Sequence, residues 1–153
     1  MLPETTKRVA RASAREINER ILRETKDSVA RCASGGPATI RRRLDELDAE
    51  WDVERTLEAN ASSLVLIGLG LGTWVDRRFY LLPAVVAGFL LQHALQGWCP
   101  PLPVLRRLGV RTQSEIELER YALKALRGDF EETDRFAGDT GTGVREVMQA
   151  VQR

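Results

Sequence analysis

The chain has 153 residues, of which 43% are hydrophobic and 29% are charged, with 23 Lys and Arg against 22 Asp and Glu. This length gives room for one domain or a small membrane unit with helical extensions, and it excludes a large multidomain enzyme. The near balance of charge on both flanks excludes a polyanion-binding tail, so we expect no nucleic-acid partner.

Residues 1–34 are predicted to form a charged N-terminal helix. Ala, Arg and Glu are frequent there, and residues 5–31 contain no Gly or Pro, which favours helix. The N-terminus lacks a short apolar run followed by a cleavage site. We therefore expect no removable signal peptide and assign any targeting to the internal apolar residues.

An amphipathic helix is predicted over residues 35–58, after a hinge at Gly35-Gly36-Pro37. Apolar side chains recur there at spacings of four, three and four, which is typical of a helix that buries one stripe against a partner. We expect this helix to continue into the apolar stretch that follows it. The stripe consists of Ile40, Leu44, Leu47 and Trp51, of which Trp51 could instead mark a membrane edge.

Two uncharged stretches, residues 59–75 and 79–98, occupy the middle of the chain. A bilayer core of roughly 30 Å requires about 20 apolar residues, with about 17 as the lower end, so the first stretch is marginal and the second is adequate. Asp76-Arg77-Arg78 forms a turn between them, and Cys99-Pro100-Pro101 ends the second. We predict a transmembrane hairpin over residues 59–104.

The C-terminal part has the pattern of a capped helix over residues 105–128. Thr112 and Glu115 form a capping-box pattern, which predicts a helix from about Gln113 to Arg127 that ends at Gly128. Residues 129–153 are rich in Gly, Asp and Thr and are predicted to be loosely held. The expected fold is all-α: a two-helix transmembrane hairpin with amphipathic helical N- and C-terminal cytoplasmic extensions.

Basic residues near the predicted spans indicate the orientation. Cytoplasmic loops carry an excess of Lys and Arg, and Trp and Tyr are enriched at both membrane surfaces. Trp74, Tyr80 and Trp98 occupy such positions. Both termini are therefore expected in the cytoplasm, with membrane lipid around the hairpin. Arg41, Arg42, Arg43 and Arg55 precede the hairpin, Arg106, Arg107 and Arg111 follow it, and only Arg77 and Arg78 lie in the turn.

Two short motifs follow the second stretch: Cys99-Pro100 and Leu108-Gly109-Val110-Arg111-Thr112. In these motifs and in the hairpin, residues 52–112 resemble the YgaP-like inner-membrane family, which implies a bacterial inner-membrane location. Some members of that family carry a rhodanese domain ahead of the hairpin. Here the first 50 residues are charged helix, and Cys32 lies in no anion-binding loop, so sulfurtransferase activity is not carried over.

Small residues in both stretches offer surfaces for helix packing. Gly68-x-x-x-Gly72 lies in the first stretch and Ala84-x-x-x-Gly88 in the second. Such motifs let two helices approach closely. They are consistent either with a homo-oligomer or with packing inside the hairpin, and the sequence leaves both open.

Gln92, His93 and Gln96 place polar groups inside the second stretch. Polar groups at membrane depth face protein or water, so they either line a path for protons or a solute or make hydrogen bonds between helices. His93 is the only histidine, which excludes a site with several histidine ligands. We therefore predict no metal.

Cys99 is the candidate thiol, at the predicted membrane edge. It could accept sulfur, be oxidised or be acylated, or it could serve only in packing. No catalytic pair of carboxylates, nucleophile with a base, or phosphate-binding loop is present elsewhere. We predict no cofactor and no enzymatic activity.

The leading functional hypothesis is a non-enzymatic membrane anchor and self-assembly module for helical cytoplasmic arms, with a cytoplasmic protein partner left open. One alternative is an oligomeric transporter or channel for a small solute or anion, in which the polar side chains of the second span line a path. The other is a sulfur-handling thiol protein that uses Cys99 together with a separate rhodanese.

Overall fold

A computed structural model describes Glu4 and residues 6–130, and within those residues every regular element is helical. This confirms the all-α prediction for the described residues. A short 3-10 helix, Arg77–Tyr80, precedes the fourth α-helix. The α-helices are α1 (Arg8–Arg11), α2 (Arg15–Ala49), α3 (Val53–Trp74), α4 (Leu81–Gln96), α5 (Leu102–Arg107) and α6 (Gln113–Arg127).

The long helix α2 bends at the Gly-Gly-Pro sequence. Gly36 has φ 78° and ψ −177°, which interrupts the helical geometry, and Pro37 follows it. Glycine adopts a positive φ without the steric penalty that a Cβ atom would bring. The predicted hinge is therefore a kink with helix on both sides of it.

The described residues divide into two compact units. The first holds Glu4 and residues 6–24 and 50–116, and so contains α1, the start of α2, and α3, α4 and α5. The second holds residues 25–49 and 117–130, which are the rest of α2 and most of α6. The predicted tail, residues 129–153, lies outside the described residues from residue 131 onwards.

A small apolar core in the first unit joins α1, α3, α5 and the residues before α5. Its buried members are Val9, Val53, Leu57, Cys99 and Leu102. Val53 and Leu57 are four residues apart and therefore share one face of α3. Burial of each Val or Leu side chain contributes about 1.5–3 kcal/mol, so this cluster holds the short helix α1 in place.

The start of α3 differs from the prediction. We expected the helix after the hinge to continue into the apolar stretch, but α2 ends at Ala49 and α3 begins at Val53. The reason is a cap: a side-chain oxygen of Asp52 accepts a hydrogen bond from the backbone N–H of Arg55 at 2.7 Å. An N-cap of this kind is worth about 1 kcal/mol and starts a new helix here.

Arg106 connects three segments of the first unit. Its guanidinium is fully buried and donates to both carboxylate oxygens of Glu115, at 2.6 and 2.7 Å. It also donates to Oδ1 of Asn18 at 2.9 Å and to the carbonyl oxygen of Val110 at 3.0 Å. Because a buried charge is tolerated only when it is paired and hydrogen-bonded, these bonds fix α5 against α2 and the start of α6.

The predicted capping box is confirmed. The backbone N–H of Thr112 donates to Oε2 of Glu115 at 2.8 Å, and the backbone N–H of Glu115 donates to Oγ1 of Thr112 at 3.3 Å. Helix α6 has the predicted bounds, Gln113–Arg127. Gly128 follows it with a φ of 86°.

In the second unit, the stripe predicted on α2 is confirmed in part. Ile40, Leu44 and Leu47 are buried. Trp51 does not continue the stripe, because it lies beyond the end of α2 and is 49% exposed. The guanidinium carbon of Arg55 lies 4.4 Å from the centroid of the Trp51 ring, so this indole packs against a cation.

The second unit also contains a buried acid that charge patterning does not reveal. Glu119 is fully buried and accepts hydrogen bonds from Oγ of Ser28 at 2.6 Å and from the guanidinium of Arg43 at 2.8 and 3.1 Å. These bonds offset the loss of hydration of the carboxylate. The carboxylate of this ion pair between α2 and α6 therefore lies in the interior of the second unit and not on its surface.

Candidate functional site

Most of the exposed side chains of α3 from Leu64 onwards, and of α4, are apolar. Isolated exposed apolar residues are normal, but a large continuous apolar surface marks a site of contact with protein or lipid. The exposed large apolar side chains of this surface are Leu64, Leu66, Ile67, Leu69, Trp74, Val75, Phe79, Tyr80, Leu81, Val85, Phe89, Leu91, Leu95 and Trp98.

One helical segment of the described chain, Arg77–Gln96, is long and apolar enough to cross a membrane. It corresponds to the second predicted span. The first predicted span does not reach the same length of uncharged helix, because α3 begins with Glu54 and Arg55 and carries Glu58 one turn later.

The glycines of the first predicted motif pack within the chain. A Cβ atom on Gly68 would lie 2.5 Å from Cδ of Pro83, and one on Gly72 would lie 2.7 Å from Cδ1 of Tyr80. Both distances are shorter than any ordinary carbon–carbon contact. Only glycine therefore permits this approach of α3 to the start of α4, and the two helices run in opposite chain directions here.

The second small-residue motif is free of intrachain packing in the described part of the chain. Ala84 and Gly88 are exposed, and nothing lies within 4 Å of a Cβ atom built on Gly88. The two residues are four apart and share one face of α4. This face is open to a second helix.

The predicted polar cluster of α4 does not form one group. His93 is 6% exposed, whereas Gln92 is half-buried and Gln96 is exposed. The Nε2 atom of His93 lies 3.3 Å from a carboxylate oxygen of Glu54. The histidine is thus directed towards α3, away from a path that all three side chains could line.

Glu54 and Arg8 complete this polar contact, and sequence reasoning missed both. The guanidinium of Arg8 donates to the other carboxylate oxygen of Glu54 at 2.8 Å. The Nδ1 atom of His93 is buried and has no hydrogen-bond partner among the described residues. The only signal in the sequence is the position of Glu54, the last acid but one before the uncharged stretch.

The backbone of α1 touches the end of α4 at Gly97. Gly97 has a φ of 76°, and a Cβ atom there would lie 2.5 Å from the carbonyl carbon of Arg8. Both the conformation and the contact require glycine. The chain therefore reverses direction directly against α1.

Cys99 is 3% exposed and belongs to the apolar core. Burial raises the pKa of its thiol, the backbone hydrogen bond with Leu102 opposes this, and the charge of Glu54 raises the pKa further. The thiolate is the reactive form of cysteine. This environment favours the neutral thiol and a role in packing.

A groove with a volume of about 400 Å³ lies between α3, α4 and α5. Its walls are apolar apart from the side-chain amide of Asn60 and the thiol of Cys99. Sequence reasoning missed it, because it depends on how three helices meet. Pockets of this size hold small apolar ligands or parts of larger ones.

In comparisons of the chain with known proteins, no family model matches, and no curated protein or solved structure is similar to it.

Three features of the described residues bear on function: the apolar surface of α3 and α4, the open small-residue face of α4, and the groove beside α5. Among the described residues, no three His, Cys, Asp or Glu side chains are grouped as metal ligands.

Proposed function

We propose that this protein is a small bacterial inner-membrane protein that acts as a non-enzymatic anchor and self-assembly module for helical cytoplasmic arms. In this proposal α3 and α4 cross the bilayer as a two-helix hairpin. The observation that carries it is the large number of exposed apolar side chains on these two helices, which carry no Asp, Glu, Lys or Arg between Glu58 and Asp76 or between Arg78 and Arg106. Such an apolar surface is compatible with the hydrocarbon of a bilayer, whereas in water it promotes aggregation.

Three polar side chains of α3 make hydrogen bonds within their own helix. The hydroxyl groups of Ser63 and Thr73 each donate to the carbonyl oxygen four residues earlier, both at 2.8 Å. The amide of Asn60 donates to the carbonyl oxygen of Thr56 at 2.8 Å. Polar groups inside a bilayer must find partners within the protein, and these three do so within their own helix.

The proposed orientation places both ends of the chain in the cytoplasm. Two basic residues, Arg77 and Arg78, lie in the turn, whereas more lie beside the other end of the hairpin. The resemblance of residues 52–112 to the YgaP-like family supports the same location. Trp74 and Tyr80 are exposed beside the turn and Trp98 beside the opposite end, as interfacial aromatic residues would be.

Self-assembly is proposed to use the face of α4 that contains Ala84 and Gly88. This face is exposed and small, so a second helix can approach it closely. Gly68 and Gly72 are already in contact with residues of their own chain. The proposed homo-oligomer therefore depends on the second motif and not on the first.

Transport and sulfur transfer are supported less well by the geometry. His93 is buried against Glu54 of its own chain, and a path for a solute would require it to face an open channel. Cys99 is buried with a raised pKa, and a sulfur relay would require an exposed thiolate. A protein partner for the arms stays part of the anchor proposal.

The test combines membrane extraction with topology mapping. In a background without Cys32 and Cys99, single cysteines replace Arg77, Thr6 and Gln152, and intact cells are treated with a membrane-impermeant maleimide. The protein is expected in the membrane fraction after an alkaline wash, with only Arg77→Cys labelled from outside. Recovery in the soluble fraction, or labelling of Thr6→Cys and Gln152→Cys from outside, would contradict the proposal.

A further inference from the structure

The groove beside α5 continues the face of α3 that carries the packed glycines. Leu57, Ala61 and Leu64 line its α3 wall, and the same face continues through Gly68 and Gly72, since the spacing from residue to residue is three or four. At the glycines α4 is in contact with α3. One helical turn before them, the space between the two helices is open.

The other walls come from α4 and α5. Val86, Phe89 and Leu90 also have helical spacing and form one face of α4, and Val104 and Leu105 belong to α5. All five side chains are apolar. A space with such walls is not hydrated at membrane depth, because water would find almost no hydrogen-bonding partner there, so hydrocarbon must fill it.

We propose that this groove binds one acyl chain of an anionic phospholipid from the cytoplasmic leaflet, with the headgroup phosphate beside Arg107. The proposal rests on the proposed function, because it requires α3 and α4 to lie in the bilayer. The proposed function requires only non-specific contact between the two helices and lipid. The groove would add one specific lipid-binding site.

The groove is about two thirds as long as one leaflet is thick. Leu57 and Leu64 are seven residues apart, which corresponds to about 10 Å along the helix axis at 1.5 Å per residue. One leaflet of a bilayer core of roughly 30 Å is about 15 Å thick. Val86 lies near the middle of the segment Arg77–Gln96, so the groove extends from mid-membrane towards the proposed cytoplasmic surface.

The shape of the groove favours an acyl chain over a helix of a second copy. An α-helix with its side chains is about 10–12 Å wide, whereas this groove is a space between three packed helices. A single hydrocarbon chain is much narrower. The open face of α4 at Gly88, which is not among the lining residues, is the separate surface for a second helix.

Arg107 supplies the charge for the headgroup. It is exposed and lies three residues after Val104 on α5, so the two share one side of that helix. Arginine binds phosphate oxygens through parallel N–H groups. The neighbouring Arg106 is buried and paired with Glu115, which leaves Arg107 as the cation of α5 available to lipid.

The test measures lipid retained by the full-length protein. The protein is reconstituted in nanodiscs with equal amounts of phosphatidylglycerol and phosphatidylcholine, extracted in mild detergent and examined by native mass spectrometry. Wild type is expected to retain one phosphatidylglycerol per chain. Val104 lies on α5 and lines the groove, so the larger side chain of Val104→Trp should fill the groove. This variant should lower the retention of phosphatidylglycerol about tenfold, equivalent to about 1.4 kcal/mol. Ala61→Trp, from the α3 wall, should do the same.

Two further variants make the result specific. Leu66→Trp adds the same bulk on the exposed surface of α3, outside the groove, and should retain lipid as wild type does. Arg107→Gln should remove the preference for phosphatidylglycerol and leave some phosphatidylcholine bound. Circular dichroism confirms that each variant is folded.

Equal retention by Val104→Trp and Leu66→Trp would overturn the proposal, as would a membrane-inserted wild type that retains no lipid. Loss of the oligomer without loss of lipid in Val104→Trp would assign the groove to a second copy and would also overturn it. Failure of the proposed function is distinguishable, because the protein would then be absent from the membrane fraction.

Discussion

The buried guanidinium of Arg106 and the partly buried carboxylate of Glu115 form a two-pronged ion pair, with N···O distances of 2.6 and 2.7 Å. The pair joins the helix that follows the proposed hairpin to the cap of α6. Removal of one partner leaves the other without the hydrogen bonds that offset its desolvation, which costs about 1–3 kcal/mol. The pair therefore determines whether the region after the hairpin keeps its structure.

The first prediction concerns this pair. Arg106→Met should lower the free energy of unfolding by about 1–3 kcal/mol, because Glu115, whose side chain is only 20% exposed, would lose the hydrogen bonds that offset its partial desolvation. Arg23→Met, at an exposed position, is the matched control and should change it by less than about 0.5 kcal/mol. Denaturant unfolding in detergent, followed by circular dichroism, measures both. Equal effects of the two variants would show that the pair contributes little.

The second prediction concerns pH. Burial by itself would raise the pKa of Glu115, but hydrogen bonds from Arg106 and Thr112 and the charge of Arg106 hold it below its ordinary value. A lowered folded-state pKa means that the stabilisation is present above the unfolded pKa and is lost as pH falls through the folded one. Stability should therefore decline below about pH 4.3, the ordinary value for Glu.

Glu115→Gln is the variant that checks this pH dependence. It should remove part of the decline in acid while lowering stability at neutral pH. Glu16→Gln, at an exposed position in α2, should leave the profile unchanged. If stability falls equally at low pH in wild type and in Glu115→Gln, the loss of stability is due to other carboxylates.

The third prediction separates the two small-residue motifs. Gly68→Ile should destabilise the fold by about 1–3 kcal/mol, because the added carbons collide with Pro83. Gly88→Ile should leave the fold intact and lower the oligomer population, since it adds bulk to an open face. Crosslinking in detergent together with thermal unfolding distinguishes the two. An oligomer that persists in Gly88→Ile would remove this face from the assembly proposal.

The fourth prediction concerns the polar groups of α4. If they only make hydrogen bonds between helices, each contributes about 0.6–2 kcal/mol, and His93→Leu should leave the protein folded and assembled. Gln96→Leu, at an exposed position, should have a smaller effect. Solute flux in wild-type proteoliposomes that disappears in His93→Leu, with the oligomer unchanged, would instead establish the transport alternative.

The fifth prediction concerns Cys99. Because Cys99 is only 3% exposed and burial raises the pKa of its thiol, it should react with a small maleimide more slowly than an exposed cysteine, since the thiolate is the reactive form. The comparison uses Cys32→Ser in both cases and places the control cysteine at the exposed position Ala38. Rapid labelling of Cys99 would favour the sulfur-handling alternative.

Local features of the fold could be predicted from the sequence. The Thr112 and Glu115 cap involves residues only three apart, and the bounds of α6 follow from it. Asp52 is also a common capping residue, so the start of α3 is encoded locally. The lack of Gly or Pro between Trp51 and the apolar stretch obscured that signal, which explains the wrong expectation of one continuous helix.

Contacts between distant residues could not be predicted in this way. Glu54 meets His93 and Arg8 only after the chain has folded back, and nothing in their sequence neighbourhoods indicates a partner. Glu119 looks like any acid on a solvated helix, although it is fully buried. The pattern of charges along a sequence does not indicate burial. The residues of a buried ion pair therefore cannot be distinguished in the sequence from those of an exposed one.

The contact between Gly97 and Arg8 has a consequence for the order of assembly. Helix α1 precedes both apolar helices in the chain, but the turn against which it packs is made only after both of them are complete. Contacts between distant residues form slowly, since the chain between them must first be ordered. Helix α1 must therefore stay undocked until both apolar helices and the turn at Gly97 have been synthesised.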